Sequence, residues 1–128
     1  MKKIIAFVLA MVLTVSAMSL CISAASNSQT GVYKSKTYRG YVRCSDTTAF
    51  ASMSWEGTQH DVKVTVEIYF KDRDTGYVGT AGGTSAPQQK FASKEASVPN
   101  NAVAVKGCCT GYIGSVYLVS NLIAYPGR

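Results

Sequence analysis

An all-β fold, a small antiparallel β-sandwich of about seven strands, is what this sequence predicts, and three observations predict it. From His60 to Lys71 the chain alternates without a fault. Val62, Val64, Val66, Ile68 and Phe70 fall on one side, and Lys63, Thr65, Glu67, Tyr69 and Lys71 on the other, which is the period of a strand with one buried and one wet face. Val, Thr, Tyr and Ser dominate the chain beyond residue 25 while Leu and Glu are scarce, a composition that favours pleated structure over long helices. Turn-forming residues also recur at short, regular spacing, as they do in a sandwich or, as the alternative, a small barrel.

Residues 1–25 read as a helical secretory signal peptide. Met1-Lys2-Lys3 is a positive start, Ile4 to Leu13 is an unbroken apolar run, and Ser23-Ala24-Ala25 offers small residues for cleavage after Ala25. An uncleaved anchor is the alternative, because Ile4 to Ile22 is just long enough to span a bilayer. Leu20 occupies the place where a lipoprotein signal needs a small residue, so Cys21 is not expected to carry lipid. Residues 26–128 then form a single domain beginning with a loose tail, Ser26 to Thr30.

The first expected strand is Thr37 to Cys44. Ala49 to Trp55 follows, with Ala51, Met53 and Trp55 alternating against Ser52 and Ser54, and Glu56-Gly57-Thr58 turns the chain into the strand at 60–71. Asp72 to Gly76 is read as a hairpin turn with Gly76 in the left-handed region, leading into Tyr77 to Thr80. A calcium loop would need its glycine one place later and a glutamate where Gly83 stands. Ala81 to Gln88 is taken as a loop, and Lys90 to Val98 as a polar edge strand stopped by Pro99-Asn100-Asn101. Ala102 to Cys108 and Ser115 to Tyr125 complete the set, separated by a bend holding Gly111 and Gly114. The last strand is apolar on both faces and is expected to be central.

Cys44, Cys108 and Cys109 lie beyond the leader, an odd number for an exported chain. No Cys-x-x-Cys is present, so neither a structural zinc nor a thioredoxin-like centre is expected. Adjacent strand residues point to opposite faces. If Val103 and Val105 face the core, Cys109 faces it too, and a Cys44–Cys109 disulfide follows, with Cys108 outside and able to reach a partner chain. A bulge at Gly107 would reverse the parity and favour Cys108. Three buried thiols are the remaining alternative.

The full chain carries 13 basic and 7 acidic residues. Without Lys2 and Lys3, the whole excess sits between Gly31 and Arg43, where Lys34, Lys36, Arg39 and Arg43 occur with no acid among them. Tyr33, Tyr38 and Tyr41 are interleaved with these cations, and Arg39, Tyr41 and Arg43 fall at alternate positions, hence on one strand face. This combination suits an anionic cell-wall polymer, a glycan or a membrane surface, with no specific nucleic acid implied. Lys34, Lys36, Arg39, Tyr41 and Arg43 are therefore the candidate binding residues. A solvated edge strand protected by its charges is the competing account. Trp55, in register with Met53, is read as core. His60 has no partner of metal-ligand or catalytic type nearby, no serine sits in a nucleophile elbow, and Gly79 to Gly83 lacks the Lys-Ser/Thr of a phosphate loop. No cofactor or metal is expected. These residues describe a secreted, non-enzymatic binding module of a bacterial cell envelope or medium, with a small bacteriocin-like protein acting on neighbouring cells as the alternative.

Overall fold

The computed structural model describes residues 26–57 and 61–127. The leader expected over 1–25, with its cleavage position, and His60 lie outside these residues. Eight strands follow in chain order: β1 (Ser26–Tyr33), β2 (Lys36–Cys44), β3 (Thr48–Trp55), β4 (Val62–Asp72), β5 (Val78–Thr84), β6 (Phe91–Ser97), β7 (Ala102–Ile113) and β8 (Val116–Ala124). They form two antiparallel sheets, ordered β1-β2-β3-β6 and β5-β4-β7-β8, packed face to face. With two separate sheets, this is the sandwich and not the barrel.

The even-numbered side of β4 is fully buried, with Val62, Val64, Val66 and Ile68 all at 0% exposure. Val42, Met53, Trp55, Ile113 and Val119 oppose or flank this row, and Ala49, Ala51, Ala92, Ala96 and Ala104 fill the rest. Small residues let the sheets come close. A Cβ on Gly40 would stand 2.6 Å from a methyl of Val119, and one on Gly111 would stand 2.6 Å from the sulfur of Met53. Trp55 belongs to this core, as its parity indicates. Its indole N–H donates to the Tyr33 carbonyl (3.2 Å), and its ring lies 5.8 Å from that of Tyr33.

Several expectations need correction. Ser26 to Thr30 is not a tail, for every residue of β1 pairs with β2, from Ser26↔Arg43 to Tyr33↔Lys36. Ala81 to Thr84 belongs to β5, and Gly111 lies within β7 rather than in a bend. The last strand is an edge, not a centre. In the pairing of β7 with β8, Gly111 faces Val119 and Tyr112 faces Tyr117, so Leu118 has no opposite number. A second irregularity follows at Ser120–Asn121, where Asn121 takes φ +53°. Such bulges interrupt an edge that would otherwise recruit another strand. They also leave carbonyls to be satisfied from the facing sheet. Gln29 and the Tyr38 hydroxyl both donate to the Leu118 carbonyl (3.3 and 3.4 Å), and Asn27 donates to that of Ile123 (3.0 Å). The polar N-terminal strand is thereby stitched to the opposite sheet. The edge position of β6 agrees with its sequence. Lys94 pairs with the core residue Ala51 yet stays exposed, a charge on the inner side that discourages pairing from outside.

Turn chemistry accounts for the β4–β5 hairpin. The Asp72 carboxylate accepts the N–H groups of Asp74 and Thr75, both at 2.9 Å, and Gly76 takes φ +73°. These hydrogen bonds, that from Thr75 foremost, hold the Asp72 carboxyl below its ordinary range. The β1–β2 turn has a less favourable sequence. Lys34 and Ser35 both adopt positive φ, +50° and +62°, the type I′ geometry that Asn-Gly normally fills.

The Cys44–Cys109 disulfide does not form, and both residues remain thiols. Cys44 lies against Gly107, two residues along β7 from Cys109. That offset is about 7 Å on an extended strand, too far for the Cα separation a disulfide needs. The Cys44 thiol donates instead to the Ser45 carbonyl (3.4 Å), and the Cys109 thiol is engaged by the Tyr41 backbone. Cys109 does face the core, but not for the reason given by Val103 and Val105. Ala102 and Ala104 are the buried pair, and a bulge at Val105 restores odd parity from Gly107 onward. Cys108 points to the outer side, as expected, between Glu67 and Ile123, and is only 4% exposed. Burial pushes the Cys109 thiol up to about 12 and raises that of Cys108.

Candidate functional site

On β2 the inward positions Tyr38, Gly40, Val42 and Cys44 belong to the core, so Arg39, Tyr41 and Arg43 must project from the outer face of the first sheet. Strand register builds that face in rows. Arg43 lies between Ser26 and Phe50, with Glu95 beyond. Tyr41 lies between Ser28 and Ser52, with Ser93 beyond. Arg39 lies between Thr30 and Ser54, with Phe91 beyond. Ser and Thr side chains make up half of these rows, and six larger groups rise among them: two guanidinium groups, the rings of Tyr41, Phe50 and Phe91, and the Glu95 carboxylate.

The central feature is a trough of about 300 Å³ lined by Arg39, Tyr41, Ser52, Ser54 and Phe91, at the lower end of the range for small-ligand sites. Its floor is the part of β3 that carries Ser52 and Ser54. Its sides are β2 and β6, separated by two strand spacings or about 10 Å. Phe50 stands at one end beside Tyr41, ring centroids 6.4 Å apart. The Arg39 guanidinium lies 5.9 Å from the Tyr41 ring centre, a cation–π contact that limits the wandering of an exposed side chain. Ser54 donates to the Arg39 carbonyl at 3.4 Å. Phe91 is 53% exposed.

The five residues picked from the sequence do not form one cluster. Arg39, Tyr41 and Arg43 share the outer face. Lys34 and Lys36 sit at the tip of the β1–β2 hairpin, with the Lys34 ammonium 5.4 Å from the Tyr33 ring centre. Of the three interleaved tyrosines only Tyr41 is presented outward, because Tyr33 and Tyr38 pack against the core. The solvated-edge account is also corrected, since β2 is an inner strand flanked by β1 and β3.

Phe91, Ser52 and Ser54 are the residues that sequence reasoning missed. The serines alternate with Ala51, Met53 and Trp55, which puts them off the core face, but nothing local says that β6 lies beside them. A lone phenylalanine heading a polar strand was the one available signal.

The opposite outer face also pairs cations with its own aromatic rings, Lys106 at 4.6 Å from Tyr69 and Lys63 at 5.7 Å from Tyr112. Among the described residues, no group of three or more His, Cys, Asp or Glu side chains is placed to hold a metal ion. Comparison of the chain with protein-family models, with curated proteins and with solved structures found no match in any of the three.

Proposed function

We propose that this protein is an exported, non-enzymatic binding module of a bacterial cell envelope or its medium, and that it holds an anionic polymer, glycan or lipid surface on the outer face of its first sheet. The observation that supports this most is the placing of Arg39, Tyr41 and Arg43 in one line along β2, facing solvent beside an aromatic-sided trough. Two guanidinium groups with a ring between them offer bidentate hydrogen bonds to an anion and a flat surface for stacking. Lys34 and Lys36 contribute at longer range, from the hairpin tip, by raising the local concentration of an anionic partner. Export is supported by the order of charge, apolar run and small residues over 1–25.

The test is cosedimentation of the purified protein with isolated cell walls, with anionic vesicles and with neutral vesicles, at low and at physiological salt. Binding to an anionic surface that weakens as salt rises is expected, since exposed charges are screened over about 8 Å at physiological ionic strength. Reversal of Arg39 and Arg43 to Glu should abolish it without moving the melting temperature by more than a few degrees. A doubly reversed variant that binds like the wild type at low salt would overturn the proposal. Intact-mass analysis of culture medium tests export separately. A chain beginning at Ser26 is expected there, and full-length protein confined to membranes would refute it.

A further inference from the structure

The spacing of charge and aromatic surface on this face says which anionic polymer it fits. We infer that the trough between β2 and β6 takes one ring of an acidic polysaccharide, a carboxylate-bearing sugar of the uronate type; the inference rests on the binding surface proposed above. Arg39 and Arg43 are four residues apart on one extended strand, about 14 Å, with Tyr41 between them. A uronate polymer carries one carboxylate on each ring-sized unit, so the apolar face of a ring lies between successive charges and can meet Tyr41. A polyphosphate has no ring to lay on Tyr41 or Phe91 and no ring hydroxyls for Ser52 and Ser54.

The lining has the same character. Arg39 is the one cation in the trough, and its fork is suited to a single carboxylate. Ser52 and Ser54 on the floor can exchange hydrogen bonds with ring hydroxyls as donors or acceptors. Tyr41 on one side and Phe91 on the other offer apolar faces to the C–H side of a sugar ring. At one end stands the row of Arg43, Phe50 and Glu95, in which Phe50 separates the guanidinium from the carboxylate. The other end is open. There the Glu56 N–H donates to the Thr37 carbonyl and the Trp55 N–H to that of Lys90, so a chain leaving the trough runs out past Thr37 and Lys90.

The experiment is isothermal titration of the purified protein with a galacturonate oligomer, inorganic polyphosphate of equal charge, and a neutral maltooligosaccharide. The galacturonate oligomer should bind at least tenfold more tightly than either of the others. Phe91→Ala removes an exposed ring without changing charge. It should weaken the galacturonate oligomer about tenfold, the size of one stacking contact, and leave polyphosphate unchanged. Ser54→Leu should block the trough with the same selectivity. Circular dichroism melts confirm that both variants are folded. If galacturonate and polyphosphate bind equally and neither variant distinguishes them, the inference is wrong while the anionic-surface proposal survives. If no anionic probe binds and reversal of Arg39 and Arg43 changes nothing, the proposal itself has failed.

Discussion

Gly40 sits between Arg39 and Tyr41, and its missing side chain sets how closely the two sheets approach beneath the site. Gly40→Ala would place a methyl 2.6, 2.8 and 3.0 Å from the three branch carbons of Val119, a side chain with 0% exposure. Overpacking of this kind costs about 1–3 kcal/mol, and the reduced freedom of an unfolded alanine returns about 0.5–1 kcal/mol. A net loss of about 1–2 kcal/mol follows, or roughly 4–15 °C in melting temperature for a domain of this size. Val119→Ala alone should cost about 2–3 kcal/mol in transfer and cavity energy. In the double variant the new methyl occupies the space the valine vacates, so the two losses should fall short of their sum by about 1 kcal/mol or more. Urea unfolding followed by the fluorescence of Trp55, the sole tryptophan and buried, measures all three. A Gly40→Ala variant as stable as wild type, or losses that add, would refute the close approach of the sheets.

Further outcomes are expected for the turns, the core and the thiols, most of them read by the same unfolding assay. Lys34→Asn with Ser35→Gly should stabilise the protein by about 1–2 kcal/mol, because two residues in the left-handed region are replaced by the pair that tolerates it. Val66→Asp should unfold the domain, having put a lone charge in the core, whereas Glu67→Gln on the wet side of the same strand should change stability by less than about 0.5 kcal/mol. Native protein should not react with a thiol reagent at pH 8, and the unfolded chain should expose every cysteine. The Cys109 thiol titrates higher folded than unfolded, so its contribution to stability is complete below the unfolded value near 9 and is lost as pH rises toward about 12. Asp72 has the opposite sign. Its carboxyl is held down in the fold, so its contribution is present above the ordinary value of 3.8 and disappears as pH falls below it; Asp72→Asn should flatten that part of an acid titration.

What the sequence revealed and what it hid have physical causes. β4 was legible because both of its faces have a single environment along their whole length. β1 was not, since its inward residues Asn27 and Gln29 reach carbonyls on β8 instead of burying apolar surface, and a polar strand lacks the periodicity that betrays one. β8 was misplaced because bulges at Leu118 and Asn121 break its alternation, so apolar residues seem to line both faces. The turn at Asp72–Gly76 was recognised from its glycine and acidic residues, whereas Lys34-Ser35 carries no turn residue despite the same need for positive φ. In the site, the alternation of Arg39, Tyr41 and Arg43 was visible. Its completion by Phe91 was not, because β6 joins β3 only after two intervening strands of the other sheet have passed.

The central claim is that this molecule works through the outer face of its first sheet. Amide chemical-shift mapping of the isotopically labelled protein, titrated with a galacturonate oligomer, tests that claim most directly. Perturbations should gather on Arg39, Tyr41, Arg43, Ser52, Ser54 and Phe91, and leave Lys63, Tyr69, Lys106 and Tyr112 unmoved. Shifts concentrated on those last four residues, or scattered evenly over every exposed lysine, would contradict it.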